Sequence, residues 1–237
     1  MRALQKIRLI ALDSDGVLIS DTYSPVIERF VIRHGGQYTA EVERAVWGSP
    51  QLAAGQNLAL ACRLPWSARQ TIEAFFAERD EYLKAHPITV NPGAEPLLAT
   101  LREAGLRVVC YGGRPREYTF DTYLGHLAGY FDPQIPYVDV NDFRPGVKEI
   151  VRDTFGYQYD EVVFIDDINR VAEVTRALGA GFIGVPASLP HNYQRPQMHA
   201  TGVRYLVDDL SQIDADLLRA VDAELAAGTL WSDRGRR

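Results

Sequence analysis

Four aspartates form two close pairs whose carboxylates could bind a metal ion or catalyse a reaction. Asp13 and Asp15 stand two residues apart in LDSDGVLIS, and Asp166 directly precedes Asp167 in EVVFIDD. Side chains alternate along an extended chain, so Asp13 and Asp15 face the same way and could share a cation or divide nucleophilic and acid–base work. Taken singly, each aspartate is more simply explained as a turn former or a helix cap. Four clustered carboxylates, however, repel one another unless protons or a divalent ion neutralise them, which implies a hard, oxygen-liganded ion such as Mg²⁺.

A second feature is the turn that follows an apolar run in LRVVCYGGRP. Gly112 and Gly113 can bring backbone amides close to an anion, as tight turns after strands commonly do. Arg114 follows, and it would either contact a phosphate or form a structural ion pair at the turn. A serine or threonine hydroxyl would be useful at this corner, but the sequence has glycine there.

These motifs all follow segments that are typical of buried strands. Near-continuous apolar runs cover 7–13, 106–111 and 161–167, with shorter ones at 181–185 and 203–207. Segments with the hydrophobic periodicity of α-helices lie between these runs. The pattern therefore predicts βαβ units and a doubly wound α/β fold with a parallel sheet. Ligands bind beyond the carboxyl ends of the strands in such sheets. Both aspartate pairs and the GGRP turn are expected at that edge, which favours a functional site over unrelated turns.

One long stretch contains helical patterns only. From Tyr23 to His86 we find four amphipathic segments, and the last begins with a capping box formed by Ser67 and Gln70. We therefore predict an α/β core formed by residues 1–20 and 88–237, and a helical insertion formed by residues 21–87. Aromatic residues in the insertion, such as Trp47, are expected to pack in its core. The turn-rich stretch 186–202 is predicted to be a long loop.

Composition excludes several classes of protein. The chain has 237 residues and a net charge of −6, which argues against a nucleic-acid partner. Cys62 and Cys110 stand far apart without metal-ligand spacing, as expected in a reducing compartment. No apolar segment approaches about 20 residues and no cleavage site follows the first apolar run, so we expect a cytoplasmic protein without a membrane span. The sequence predicts no oligomeric state.

The motifs resemble those of the haloacid dehalogenase superfamily, subfamily I. DSDGVLIS is similar to the first motif, NPGAEPLLATLREAGLRVV to the approach to the second, and EVVFIDD with ALGAGFIGV to the fourth. The insertion at 21–87 resembles the small all-helical cap of that subfamily. The resemblance covers nearly the whole chain and implies a Rossmann-like core that carries this cap.

The resemblance also implies a chemistry. Asp13 would be the nucleophile that forms an aspartyl phosphate, and Asp15 would serve as general acid and base. Mg²⁺ would be held by Asp13, the backbone carbonyl of Asp15 and Asp166, with Asp167 ranked behind Asp166. A second aspartate two residues after the nucleophile favours phosphate chemistry over dehalogenation. The expected function is therefore a Mg²⁺-dependent phosphohydrolase acting on a small phosphorylated metabolite.

Three positions depart from the family pattern. Gly112 stands where the second motif has Ser or Thr, so phosphate binding would depend on Gly112, Gly113, Arg114 and Arg144. For the cation of the third motif we favour Lys148 as catalytic, with Arg144 as the alternative because it precedes a proline as the family's lysine often does. Arg170 occupies a position that often carries a further acid.

These departures leave two other functions open. The chain could be a catalytically impaired member that binds a phosphorylated ligand or a protein partner. It could also be a phosphotransferase or phosphomutase that uses the same aspartyl phosphate. Fold alone does not separate these activities, because function depends on the site.

Overall fold

The computed structural model describes residues 4–232, and within them five strands form one fully parallel sheet. The strands are β1 (Leu9–Asp13), β2 (Arg107–Gly112), β3 (Tyr137–Asp139), β4 (Val162–Asp166) and β5 (Gly181–Gly184), in the order β3-β2-β1-β4-β5. All five residues of β1 and of β4 are buried, which explains their near-continuous apolar sequences. The predicted doubly wound α/β class is therefore confirmed.

Eight α-helices surround the sheet in the described part of the chain. They are α1 (Ser24–Arg33), α2 (Ala40–Val46), α3 (Gln51–Ala61), α4 (Ala68–Ala85), α5 (Ala94–Glu103), α6 (Asn169–Leu178), α7 (Gln194–Thr201) and α8 (Ala215–Ala226). Further helical segments with tighter or wider turns cover Glu117–Leu124, Gly125–Tyr130 and Glu149–Thr154. Between residues 4 and 232, no helix is both long enough and apolar enough to cross a membrane.

Side-chain alternation along the strands gives each sheet face its own hydrophobic cluster. Ile10 and Leu12 of β1 pack on the face covered by α5 and α8. Leu9 and Ala11 point the other way, into a cluster that contains Phe30, Leu58 and Phe75 from the four-helix insertion. The insertion therefore rests on the same sheet face as the odd-numbered residues of β1, and Asp13 belongs to that series.

The insertion begins and ends at one place. Ile19 pairs with Val90 in an antiparallel bridge, and the Ser20 amide donates to the Thr89 carbonyl at 2.8 Å. The four helices lie between these two chain crossings. We propose the boundaries 21–87 for a helical cap on this basis, with the remainder of the chain as the core.

Three sequence expectations about elements are corrected. Residues 203–207 do not form a strand in the described chain, since only Leu206 makes a single bridge to Gly184. The expected loop 186–202 contains α7, which begins at Gln194. Strand β3 was missed because it has three residues and directly follows a turn that contains prolines. In contrast, α1–α4 form as predicted, and the capping box of Ser67 and Gln70 at the start of α4 is confirmed.

Candidate active site

The carboxyl ends of β1, β2 and β4 lie side by side because the strands are parallel neighbours. Asp13 ends β1 opposite Tyr111 of β2, and Asp166 ends β4 on the other side. A cavity of about 140 Å³ opens between this edge and the cap helices. Its polar end is lined by Asp13, Asp15, Asp21, Gly113, Arg114, Asn141, Arg144 and Asp167. Chain segments far apart in sequence thus supply one charged surface.

Asp13 and Asp167 each present a carboxylate oxygen that is buried and unpartnered among the described residues. These atoms are Oδ1 of Asp13 and Oδ1 of Asp167. Burial, followed by the charge of Asp166, raises the pKa of both carboxyls well above the ordinary aspartate value. An unpartnered buried carboxylate costs free energy unless a cation or a proton compensates it, so both oxygens are suited to a positively charged ligand.

Asp166 is held by two hydrogen bonds instead. The Tyr111 hydroxyl donates to its Oδ2, and the Ile168 amide donates to its Oδ1 at 2.6 Å. Burial raises its pKa to about 6, and the Tyr111 hydrogen bond acts in the opposite direction. The expectation that Asp166 ranks above Asp167 as the direct metal ligand does not agree with this geometry, since Asp167 has the available oxygen and lines the cavity.

Gly16 allows Asp167 to approach β1 closely. Its φ of +88° lies in the left-handed region that favours glycine, and a β-carbon at this position would collide with Asp167 Oδ2. The glycine of the DSDG motif is therefore required for two reasons, because it sets the bend of the chain and leaves room for the carboxylate from β4.

Asp15 is placed by one contact from its own loop and one from the cap. The Ser14 hydroxyl donates to Asp15 Oδ2 at 3.1 Å, and Nη2 of Arg79 lies 4.0 Å from Asp15 Oδ1. Arg79 comes from α4 and is fully buried, where it also bonds to Thr22 Oγ1 at 2.7 Å and to Tyr118 Oη at 3.0 Å. Burial raises the pKa of Asp15 while the charge of Arg79 lowers it. The side chain of Asp15 is 15% exposed, so it can reach a ligand in the cavity.

The cation beside Asp13 is Arg144 rather than Lys148. Arg144 lines the cavity, and its guanidinium lies against Gly113, where a β-carbon would be 2.8 Å from Nε. Burial lowers the pKa of Arg144, but the charges of Asp13 and Asp166 outweigh this effect and raise it, so the guanidinium stays charged. Lys148 is exposed at the start of the helical segment that follows. Lys148 is also not among the residues that line the cavity, so the geometry favours Arg144 over Lys148, and the catalytic role of either residue stays a prediction.

Ser14 explains why residue 112 is glycine. A β-carbon at Gly112 would collide with the Ser14 hydroxyl and lie 2.8 Å from Tyr137 Oη. Ser14 is fully buried, and Tyr137 is held by donating its hydroxyl to the Arg114 carbonyl at 2.7 Å. The space that a side chain at residue 112 would need is thus occupied by the Ser14 hydroxyl, which comes from the loop after β1.

Arg114 connects the core edge to the cap. Its guanidinium stacks on the ring of Tyr118 at 4.0 Å and on the ring of Phe76 of α4 at 4.5 Å. Its Nε is buried and has no hydrogen-bond partner within residues 4–232. Arg114 therefore presents an unused donor at the polar end of the cavity, in addition to its stacking contacts.

Arg170, the third departure from the family pattern, and its neighbour Asn169 are not among the residues that line the cavity. The Arg170 side chain donates to the backbone carbonyl of Arg44 in α2 at 2.9 Å. The backbone amide of Asn169 donates to Gln194 Oε1 at 2.6 Å. Both residues join the core to neighbouring elements. Sequence reasoning missed Asp21, Asn141 and the bond from Tyr111. The only available signal was the position of Tyr111 at the end of a strand.

The donor set fits Mg²⁺. The chain offers hard carboxylate oxygens on Asp13 and Asp167, and one oxygen of each has no hydrogen-bond partner in the described structure. Within residues 4–232, no three His, Cys, Asp or Glu side chains converge closely enough to enclose an ion by themselves. Mg²⁺ is commonly held by one or two carboxylates while substrate phosphate and water complete its coordination, so an incomplete protein cage is suitable for it.

Comparison with known proteins agrees with this architecture. A protein-family model described as haloacid dehalogenase-like hydrolase matches residues 7–179. A family IA hydrolase of the same superfamily from Entamoeba histolytica superposes with a TM-score of 0.65 at 14% identity, covering 92% of this chain and 100% of the other. No curated protein matches the sequence.

Two further solved structures have the same fold. A β-phosphoglucomutase from Clostridium difficile superposes with a TM-score of 0.65 at 13% identity, over 93% of this chain and 99% of the other. A predicted phosphoglycolate phosphatase from Haemophilus somnus has a TM-score of 0.60 at 15% identity, over 91% and 98%. Because the family model covers most of the chain and the sheet carries its aspartates at the expected strand ends, the chain belongs to the haloacid dehalogenase-like hydrolases.

Proposed function

We propose that the protein is a Mg²⁺-dependent phosphomonoesterase that acts on a small phosphorylated substrate. One observation supports this most strongly: the unpartnered carboxylate oxygens of Asp13 and Asp167 and the guanidinium of Arg144 meet at one end of a single cavity. Such a site offers both a place for a cation and a charged contact for an anion. A phosphate monoester together with Mg²⁺ meets both requirements.

Asp13 is the proposed nucleophile and Asp15 the proposed general acid and base. A carboxylate oxygen of Asp13 forms a bond to phosphorus while the bond from phosphorus to the alcohol oxygen breaks. The alcohol takes a proton from Asp15 as it leaves. Asp15 then accepts a proton from water, whose oxygen attacks the phosphorus and releases inorganic phosphate and free Asp13. Burial raises the pKa of Asp15, which makes its carboxyl group a better proton donor to the leaving alcohol.

The remaining charged groups bind and orient the phosphoryl group. Arg144 lies next to both Asp13 and Gly113, so it can contact a phosphoryl oxygen while it holds the nucleophile in place. Arg114 also lines the cavity, and its Nε has no partner in the described chain, so it can provide a second donor. Bound Mg²⁺, held by Asp13, Asp167 and the carbonyl of Asp15, would neutralise charge between the carboxylate and the phosphate.

The decisive experiment measures phosphate release from a panel of phosphate monoesters with Mg²⁺ and with EDTA. We expect turnover with Mg²⁺ only, and its complete loss in Asp13→Asn, while circular dichroism shows an unchanged fold. Undiminished turnover in Asp13→Asn would refute the mechanism. A phosphorylated acceptor accumulating in place of free phosphate would instead support phosphotransfer, and binding without turnover would support an impaired member.

A matched pair of variants tests the cation. Arg144→Gln removes the guanidinium from the cavity, so we expect kcat to fall by about 100-fold or more, as for other donors aimed at transition-state charge. Lys148→Gln removes an exposed ammonium four residues later and is expected to leave kcat within about twofold. The opposite ranking would return the role to Lys148.

A further inference from the structure

We propose that the substrate is a phosphate monoester of an apolar alcohol, whose hydrocarbon part occupies the cap side of the cavity. This inference rests on the proposed phosphomonoesterase function and adds the chemical class of the leaving group. The evidence is the contrast between the two ends of one cavity, with charged groups at the strand ends and hydrocarbon walls in the cap.

All four cap helices or their adjoining turns contribute to the apolar wall. Its apolar side chains are Tyr23, Ile27, Val46, Trp47, Ala54, Leu58, Ile72, Phe75 and Phe76. Tyr23 and Trp47 pack in the hydrophobic cluster shared by the cap and the sheet, as the sequence predicts for the aromatic residues of the insertion. Both residues also line the cavity.

Packing energetics favour a ligand in this space over an unused gap. Protein interiors are close-packed, and unfilled apolar space lowers stability in proportion to its volume, so a hydrocarbon group that fills the apolar cap side of the cavity would stabilise the protein. Apolar cavities are known to bind small hydrocarbons. Because this cavity is continuous with the reactive carboxylates, hydrocarbon bound there would be positioned for reaction.

The cap wall offers few partners for the hydroxyl groups of a sugar. Ser49 lines the cavity, but its hydroxyl already donates to the Ala45 carbonyl at 3.0 Å. Asp21 accepts the amides of Tyr23 and Ser24 through Oδ1, which leaves Oδ2 as its available oxygen. Within the described chain, the other polar groups of the cap wall are the Gln51 amide, the Tyr23 hydroxyl and the Trp47 indole N–H, and the latter two belong to rings that are otherwise apolar. A polyol would therefore exchange its many hydrogen bonds with water for a few with the protein.

The test compares primary phosphate esters whose leaving alcohols have similar acidity, so that intrinsic reactivity does not set the order. Ethyl, butyl, hexyl and benzyl phosphate form the apolar series, and glycerol 1-phosphate and glucose 6-phosphate are the polar counterparts. We expect kcat/KM to rise by about fourfold for each methylene that enters the cavity. Benzyl phosphate is expected to exceed glucose 6-phosphate by at least 100-fold. A flat series, or a preference for the polar esters, would overturn the inference.

Two alanines on α3 provide a matched control. Ala54 lines the cavity, whereas Ala53 is exposed on the same helix. Ala54→Leu should reduce kcat/KM for hexyl phosphate at least tenfold more than for ethyl phosphate, and Ala53→Leu should change neither. Ala54→Val is the second variant if the leucine prevents folding. Equal effects on both esters, or none, would mean that the hydrocarbon does not bind in the cap.

Binding to Asp13→Asn separates failure of this inference from failure of the proposed function. Calorimetry of this variant with hexyl phosphate and with glycerol 1-phosphate requires no turnover. If no ester is hydrolysed by the wild type but hexyl phosphate still binds at least tenfold more tightly, and Ala54→Leu removes that difference, the apolar pocket is supported and the phosphomonoesterase function fails. Equal affinities would overturn the apolar pocket.

Discussion

The hydroxyl that is missing at Gly112 has a structural counterpart one strand away. Ser14 lies between the two aspartates of the first motif, and its hydroxyl holds Asp15 Oδ2 at 3.1 Å. The same hydroxyl fills the volume into which a side chain at residue 112 would extend. The two positions are therefore interdependent, and a single substitution of Gly112 does not restore the common motif.

This interdependence predicts non-additive variants. Ser14→Ala should lower kcat by about 2- to 10-fold, because Asp15 loses one neutral hydrogen bond. Gly112→Ser should be strongly destabilised, since its β-carbon meets the Ser14 hydroxyl. The double variant removes that collision and should be more stable than Gly112→Ser alone. Thermal unfolding and kcat of all four proteins provide the measurement, and strictly additive changes would contradict the shared volume.

The free carboxylate of Asp167 predicts a pH-dependent effect on stability. Its pKa is raised in the folded protein, so without metal its ionisation opposes folding increasingly as pH rises above its ordinary value of about 3.9. Asp167→Asn removes this cost. In EDTA we expect the variant to be more stable than the wild type at pH 7.5, by about 1–3 kcal/mol, with a smaller difference at pH 5.

Added Mg²⁺ provides the complementary measurement. Because a bound ion stabilises only the folded wild type, the advantage of Asp167→Asn at pH 7.5 should shrink or reverse. Urea unfolding at both pH values, with EDTA and with Mg²⁺, gives the four comparisons. A variant that is already less stable in EDTA at pH 7.5 would show that Asp167 makes a favourable contact in the metal-free protein.

Much of the site could be predicted at the level of single residues, because aspartates at strand ends meet whenever the strands are parallel. The cavity indeed contains Asp13, Asp15 and Asp167. The sequence could not show whether Arg144 or Lys148 lies near Asp13, because this depends on how the helical segment after Pro145 is oriented relative to the strand ends. The Tyr111 bond to Asp166 depends on the pairing of β2 and β4 on either side of β1, which spacing in the sequence does not encode.

At the scale of elements, the helices and strands with a strong hydrophobic pattern were predicted correctly, whereas segments with a short or weak pattern were not. Strands β1, β2 and β4 are buried on both faces, so their apolar runs are unambiguous. Strand β3 has only three residues, and residues 203–207 have a strand-like composition without neighbours that would extend a ladder. Whether such a segment becomes a strand depends on pairing with neighbouring strands in the tertiary structure more than on its local β-propensity.

The close approach of α3 and α4 predicts a specific sensitivity. A β-carbon at Gly55 would lie 2.6 Å from Ile72 Cγ1 and 2.7 Å from the Ala68 carbonyl oxygen. Gly55→Ala should therefore push the helices apart and cost about 1–3 kcal/mol, despite the better helix propensity of alanine. Gly129→Ala is the control, since its β-carbon would meet nothing within 4 Å. Chemical denaturation of both variants tests this, and equal stabilities would contradict the packing argument.

At the scale of the whole molecule, the cap and the core share hydrophobic and polar contacts. Phe30 and Leu58 of the cap belong to the same cluster as Leu9 and Phe164 of the sheet. The carboxylate of Glu43 on α2 is fully buried and accepts hydrogen bonds from Tyr38 Oη at 2.7 Å, Gln194 Nε2 at 2.6 Å and the Tyr193 amide at 3.0 Å. Gln194 in turn accepts the amide of Asn169 at the start of α6. This network ties the cap to the strand that ends in Asp166.

Such extensive sharing predicts one cooperative unfolding transition. Trp66 reports on the cap, and Trp231, which donates to the Ala180 carbonyl at 2.8 Å, reports on the core. Variants that keep one of these tryptophans, with the others changed to phenylalanine, should have the same denaturant midpoint by fluorescence and by circular dichroism. A lower midpoint for Trp66 would mean that the cap unfolds on its own.

The bridge between Ile19 and Val90, where the insertion begins and ends, also has a consequence for exchanging the insertion. The chain leaves and re-enters the sheet at hydrogen-bonded positions, with the Asn91 amide donating to the Leu18 carbonyl at 2.9 Å. An insert must begin and end at these neighbouring points and must cover the sheet face on which the cap helices now pack, whereas the entropy of closing a loop grows slowly with its length. Helical inserts of different size that cover this face are therefore compatible with the junction, and recombination there would change the cavity wall while Asp13 keeps its place at the end of β1.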